Sequence, residues 1–208
     1  MLGVCMVANI KVLQQLDMLD KKSSKMRLAA EEWDLEWKSL IAIMMSAQSR
    51  DEMTIKIANG LFEKYPTLAS LAGAKYDDVL TCLKSLNYNR TKSKHIIECA
   101  KLLVSQYSGV VPHVLGELIK LPGVGQKTAN VFLSELGHDA IGVDTHTAYI
   151  SQKLGWTKNK VPEKIENDLK LLFPKQSWKR INPILVRFGK TYTSKKQKDE
   201  LLIKIKGV

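Results

Sequence analysis

The sequence predicts an all-α protein, and three observations predict it. Apolar residues recur at three- and four-residue spacing in segment after segment of the 208-residue chain. The apolar–polar alternation that would mark half-buried strands is nearly missing. Proline and glycine fall where the periodic segments end, at Pro66, Gly109, Pro122 and Gly155 among others.

The elements follow in order. Ile10, Leu13, Leu16 and Leu19 line one amphipathic helix, followed by a charged connector over Asp20 to Lys25. Trp37, Leu40, Ile41, Met44 and Met45 form the inner face of the next, which ends at Ser46 to Gln48. Met53, Ile57, Leu61 and Phe62 mark a helix stopped by Pro66. Thr67 to Ala72 makes a short helical turn, and Asp77 is placed to cap a segment carrying Leu80, Leu83 and Leu86. Asn87 to Asn89 reads as a loop. A helix from Thr91 then carries Ile96, Ile97, Leu102 and Leu103 and ends before Gly109. After the central turn described below, Asp144 stands as an N-cap ahead of Tyr149, Ile150 and Leu154, with Gly155 as the stop. Pro162 opens a helix with Ile165, Leu169 and Leu172. Ile184, Leu185 and Phe188 belong to another that ends near Gly189, and the tail reads as a basic helix.

Composition narrows the partners. Lys and Arg exceed Asp and Glu by 32 to 21, a net charge of +11, and 45% hydrophobic residues suffice for a real core. That balance favours a polyanionic partner. Leu2 to Val7 is apolar but short and lacks a basic lead-in, so no signal peptide is read. No apolar run approaches the ~18 residues of a membrane span. The expectation is an intracellular protein, cytoplasmic or nucleoid-associated in a prokaryote. Cys5, Cys82 and Cys99 have no paired spacing and read as buried structural thiols rather than disulfides or zinc ligands.

One stretch does not fit a plain helical scaffold. Leu121 to Asn130 reads LPGVGQKTAN, a tight turn between two helices. Leu115 to Lys120 carries apolar residues at helical spacing and Pro122 closes it. Gly123 and Gly125 allow positive φ and close backbone approach, and Gln126 opens a helix with Val131, Phe132 and Leu136 on one face. A glycine-flanked helix N-terminus can hold a phosphate through its N–H groups and dipole. Lys127 sits in the first turn of that helix, where a cation is electrostatically misplaced. VDTH, Val143 to His146, follows at short distance, and LIAIMMSAQSRD precedes it at Leu40 to Asp51.

Together these three segments, in this order, resemble the helix-hairpin-helix DNA glycosylases of the endonuclease III family, over about Leu40 to Gly189. The resemblance implies two helical domains flanking a DNA-binding cleft. A six-helix barrel would span 39–137, with the hairpin at about 112–137, and residues 1–38 with 138–208 would form the second domain. It implies base-excision repair by a glycosylase with AP-lyase activity. Lys127 would attack the sugar as a neutral amine, which needs its pKa pushed below the ordinary ~10.4 by the helix N-terminus and partial burial. Asp144 would stay ionised and assist, its ordinary alternative being a plain N-cap. Thr145 and His146 read as structural.

A nucleotide taken out of the stack leaves a gap to be filled. The family's pattern places Gln48 there, and a second wedge at the position of Tyr88, where leucine is usual. Arg90, Lys92 and Lys94 fall beside it as phosphate partners or as a solvated helix face. Gly123, Val124, Gly125, Gln126 and Thr128 would contact the DNA strand. The carbonyls of Ile119, Leu121 and Val124 would coordinate a monovalent cation, Na+ or K+, bridging to a phosphate. The expected partner is duplex DNA carrying damaged bases or abasic sites, bound by a monomer with no membrane involvement.

The chain departs from the family in one respect. Many relatives hold a [4Fe–4S] cluster on four closely spaced C-terminal cysteines, whereas here the stretch Thr191 to Lys198 reads TYTSKKQK. No cofactor of that kind is expected. Oxidised pyrimidines are the substrate that the SAQ and VDTH segments favour. An 8-oxoguanine activity stays open because some cluster-free relatives have it. A reading of another class, a non-catalytic helix-hairpin-helix DNA-binding module, needs only the glycines and basic residues, and the pair Lys127 and Asp144 speaks against it. An RNA-binding helical protein lacks any aromatic signature here.

Overall fold

In the computed structural model the chain is described from Leu2 onward, with side chains from Ile10. It is all-α, with no strand among the described residues. The order is α1 (Leu2–Lys22), α2 (Glu36–Ser46), α3 (Asp51–Lys64), α4 (Leu68–Ala72), α5 (Tyr76–Cys82) and α6 (Asn89–Gln106). Then come α7 (Leu115–Leu118), α8 (Gln126–Glu135), α9 (Thr145–Leu154), α10 (Pro162–Leu172), α11 (Trp178–Thr191) and α12 (Lys195–Lys206). No helix among the described residues is long and apolar enough to cross a membrane.

The chain divides into two compact units, Arg27–Phe132 and the pair of segments Met1–Met26 and Leu133–Val208. The boundary expected at 38/39 lies instead at 26/27, and aromatic packing explains it. Trp33 and Trp37 both pack edge-to-face with Phe62, at centroid distances of 5.0 and 5.2 Å. The Ser39 hydroxyl also donates to the Ala30 carbonyl at 2.8 Å. Residues 27–38 are thereby fastened to α2 and α3. On the C-terminal side the division falls within α8 rather than at 137.

The Arg27–Phe132 unit is built around α2, in which every residue from Ser39 to Met45 is buried. A helix apolar on all sides must be surrounded, and α3 and α6 pack on it, while α4 and α5 pack on α6. The buried face of α3 runs through Asp51, Thr54, Ala58, Leu61 and Phe62. Met53, assigned to that face from periodicity, is exposed. Asp77 does not cap α5; the cap position is Lys75, and the Asp77 carboxylate sits in the first turn. There it still complements the helix dipole. The helix expected from Thr91 begins two residues earlier, at Asn89.

The other unit packs α1, α9, α11 and α12 together around Leu16, Leu19, Ile150, Ile165, Leu185 and Phe188. Pro183 lies inside α11, where it removes one backbone donor. A buried hydrogen bond from the Trp156 indole N–H to Gln15 Oε1, 2.7 Å, ties α1 to the end of α9. The C-terminal helix is held by buried Leu202 and Ile205 and by Asp199. That carboxylate accepts the Tyr149 hydroxyl and, at 3.0 Å, the Lys153 ammonium. Burial and the neighbouring carboxylate push the Tyr149 phenol up to about 12. Apolar packing, the bonds to Asp199 and a donation from the Gln15 amide to Lys206 O at 3.4 Å hold the C-terminal segment against its unit.

Of the three thiols, Cys99 is buried and its pKa is pushed up to about 12 by desolvation. Cys82 is only half-buried, and the side chain of Cys5 lies outside what is described.

Candidate functional site

The turn before α8 is tight because of one glycine. Val124 N–H donates to the Leu121 carbonyl at 3.0 Å, and Gly123 adopts φ +78°. A Cβ on Gly123 would lie 2.7 Å from His95 Cβ and 2.9 Å from Met44 Cε, so this turn packs directly on α6 and α2. Gly125 differs from expectation: its φ is not positive, and a Cβ there would meet nothing within 4 Å. Its backbone faces open space, the geometry that lets an outside molecule come close. Gly123, Gly125, Gln126 and Lys127 are exposed and Thr128 is half-buried, while Val124 is buried. Lys127 was expected to be partly buried; within the chain itself it is exposed. The Leu121 carbonyl already accepts the Val124 N–H, leaving one lone pair at that member of the three-carbonyl set.

A second constellation lies at the C-terminus of α2. The last helical carbonyls have no intrahelical partners and carry the negative end of the dipole. Here Ile43 O accepts the Ser46 hydroxyl at 2.8 Å, and Ser46 O accepts the Ser49 N–H at 2.9 Å. The Lys92 ammonium donates to Met45 O and Ala47 O, both at 2.7 Å, and to Ser49 Oγ at 3.1 Å. Lys92 is therefore not a phosphate partner, as the sequence had suggested. Its side chain is buried and its charge is spent on the end of α2. Burial pushes its pKa down to about 8, while the three oxygens favour the ammonium. Arg90 and Lys94 remain exposed on the same helix.

Just past this clamp, Gln48 is exposed at φ +54°, and its carbonyl accepts the Asn87 side-chain amide at 2.6 Å. Tyr88 is 64% exposed at φ +57° and forms the N-cap position of α6. Non-glycine residues in the left-handed region are uncommon and concentrate at functional sites. Sequence reasoning singled out both side chains, but neither backbone conformation.

In the other unit, Asp144 is the N-cap of α9, its Oδ1 accepting the Thr147 N–H at 2.7 Å. Capping fixes the half-buried carboxylate in place, and no other bond to it is made among the described residues. The segment around it is braced from three sides. The buried Asn182 amide donates to Gly142 O at 2.8 Å and to Thr147 Oγ1 at 3.1 Å. Buried Glu166 accepts the Ile141 N–H at 3.3 Å and pairs with Lys170 at 2.6 Å. The His146 ring lies against Gly189 of α11. Asn182 and Glu166 carried no signal in the sequence beyond being polar positions on otherwise apolar helix faces.

Among the described residues no group of three or more His, Cys, Asp or Glu side chains is placed to hold a metal ion. The donors offered by Thr191 to Lys198 are hydroxyls, amines and an amide, which do not fit a thiolate-held iron–sulfur cluster.

The family model for HhH-GPD superfamily base excision DNA repair proteins matches residues 41–175. Over 152 residues the chain is 44% identical to the endonuclease III of Thermotoga maritima, covering 73% of this chain and 71% of that protein. Against the endonuclease III of Bacillus subtilis it is 36% identical over 155 residues, with 73% and 70% covered. A solved non-covalent endonuclease III–DNA complex matches with a TM-score of 0.80 at 30% identity, covering 90% of this chain and 88% of that one. A thermostable thymine-DNA glycosylase shares the fold, with a TM-score of 0.75 at 16% identity and coverage of 91% and 89%.

Proposed function

The chain belongs to the HhH-GPD superfamily of base excision DNA repair proteins, and from that premise we propose that it removes oxidised pyrimidines from duplex DNA as a glycosylase and AP lyase. It is a base-excision DNA glycosylase whose partner is duplex DNA. The observation that carries the finer reading is Lys127, an exposed amine in the first turn of α8 beside an open glycine backbone. A hairpin that only bound phosphates would need the glycines and the helix N-terminus, not a cation in that first turn.

The roles follow from the chemistry. The Lys127 amine, once neutral, forms a bond to C1′ while the C1′–N bond to the damaged base breaks and the base departs with a proton. Breaking C1′–O4′, with O4′ taking a proton, leaves the imine. Loss of a C2′ proton then expels the 3′ phosphate by β-elimination. Asp144, fixed in place at its cap by the Thr147 N–H, stabilises positive charge developing on the sugar and accepts protons. Gln48 and Tyr88 occupy the gap left by the extruded nucleotide. The hairpin backbone at Gly123, Gly125 and Gln126, with Arg90 and Lys94, contacts phosphates. The carbonyls of Ile119, Leu121 and Val124 offer a bridging Na+ or K+ its oxygen ligands.

Borohydride trapping on a panel of lesion duplexes tests this directly, because hydride reduces the imine to a stable amine. The wild-type chain is expected to trap oxidised-pyrimidine duplexes in preference to 8-oxoguanine duplexes. Lys127→Gln is expected to bind DNA but trap none. Trapping by the variant would mean that another amine is the nucleophile.

A further inference from the structure

Gln48 and Tyr88 are both exposed and both held in a backbone conformation that L-residues disfavour. Something must over-determine each conformation for it to persist. For both, the structure supplies the same residue. The Lys92 ammonium grips Ala47 O, the carbonyl of the peptide that enters Gln48, together with Met45 O before it and Ser49 Oγ after it. The Lys92 main-chain N–H donates to the Tyr88 carbonyl at 2.9 Å, closing the first turn of α6. Asn87, between the two, takes the Gln48 carbonyl at 2.6 Å. Asn89 fixes the far side by donating to Lys84 O at 3.0 Å.

The geometry points to Lys92 as a positioning residue, aided by Asn87, that locks Gln48 and Tyr88 into one preorganised pair. This rests on the reading of Gln48 and Tyr88 as the side chains that fill the gap behind an extruded nucleotide. A buried lysine donating to three oxygens could act simply as a cap for α2. Two features go beyond that. Its contacts bracket Gln48 on both sides rather than ending at the last helical carbonyl. Its own main-chain N–H also closes the turn of α6 at the Tyr88 carbonyl, so the clamp beside Gln48 and the N-cap that carries Tyr88 share one residue. An insertion device benefits from such a lock, because ordering two surface side chains at the moment of insertion would otherwise cost conformational entropy.

The test uses a duplex carrying a tetrahydrofuran abasic-site analogue opposite 2-aminopurine, beside a matched undamaged duplex. Binding and 2-aminopurine fluorescence are read for the intact chain, Gln48→Ala, Lys92→Met, Asn87→Ala and the Gln48→Ala/Lys92→Met double variant. Lys92→Met keeps the length of the side chain and removes its donors. Asn87→Ala changes an exposed residue and keeps the proposal testable if Lys92→Met fails to fold.

Lys92→Met is expected to lose roughly 10-fold in affinity for the analogue duplex and under about 2-fold for the undamaged one. The fluorescence change should shrink in parallel, and Asn87→Ala should show the same selectivity to a smaller degree. The double variant should lose no more than the larger single loss, as expected of residues that act through one another. Equal losses on both duplexes, or additive losses in the double variant, would overturn the positioning role. Wild-type behaviour of Lys92→Met and Asn87→Ala beside an impaired Gln48→Ala would overturn it alone. An unimpaired Gln48→Ala would instead bring down the gap-filling reading, and the inference with it.

Discussion

Gly189 of α11 and the imidazole of His146 are packed so closely that a Cβ on residue 189 would lie 2.6 Å from His146 Cγ and 3.0 Å from its Cβ. No side chain but hydrogen fits there. His146 lies in the first turn of α9, two residues past the Asp144 cap, so α11 sets where that carboxylate stands. Gly189→Ala should force the ring out and cost roughly 1–3 kcal/mol, the usual range for overpacking. Single-turnover base release should fall more than duplex affinity does, because the hairpin is not touched. Denaturant titration and the two functional assays check this; wild-type stability in the variant would mean that the ring yields freely.

The two hairpin glycines are expected to part company. Gly123→Ala must place a side chain at φ +78° and push its Cβ into His95 and Met44. The backbone strain alone costs roughly 1–2 kcal/mol, so the variant should lose stability as well as DNA binding. Gly125→Ala meets nothing within 4 Å and should melt with the wild type. It should nevertheless bind damaged and undamaged duplex more weakly by similar factors, because its methyl stands where a phosphate would approach. A Gly125→Ala chain that binds normally would remove that backbone from the interface.

These cases show what was legible in the sequence. The all-α class, most helix positions and the Asp144 cap follow from short-range rules of periodicity and capping, which the chain obeys locally. Lys127, Asp144, Gln48 and Tyr88 were marked as candidates by residue type and motif order. What sequence could not convey was which way each position faces. Met53 and Ala58 share a helix, but packing against α2 rather than hydropathy decides that Ala58 is buried and Met53 exposed. Lys92 reads as one more surface cation beside Arg90 and Lys94. Only the meeting of α6 with the end of α2, residues 43 to 47 positions apart, turns it inward. Asn182 and Glu166 are silent for the same reason, since their partners lie 40 and 25 residues away.

Lys92 also predicts a pH dependence of stability. Its folded pKa of about 8 lies below the ordinary lysine value, so the folded chain gives up this proton first. Between about pH 8 and ~10.4 the unfolded chain binds more protons at this site, and stability from this group grows as pH rises. Below that window both states carry the charge and the contribution is flat. Urea titrations of the wild type and Lys92→Met at pH 7 and pH 9.5 isolate the effect. The difference between the two proteins should shift in favour of the wild type at the higher pH; a constant difference would mean that the ammonium is not desolvated.

Tyr88 and the hairpin should separate by salt as well as by substrate. If phosphates supply the general affinity, log K should fall with log salt by roughly 0.9 for each phosphate neutralised. Tyr88 carries no charge, so Tyr88→Ala should leave that slope unchanged on undamaged duplex. The residue is 64% exposed and stands at an N-cap position whose main chain is bonded to Lys92, so removing its ring should leave α6 intact. The loss should appear on lesion or abasic duplex alone, by roughly the 1–3 kcal/mol that one base–aromatic stack contributes. Matched salt titrations on the two duplexes read both quantities at once. A Tyr88→Ala chain weakened equally on both would make Tyr88 a general contact. A changed slope would mean that its removal had disturbed the phosphate-binding residues nearby.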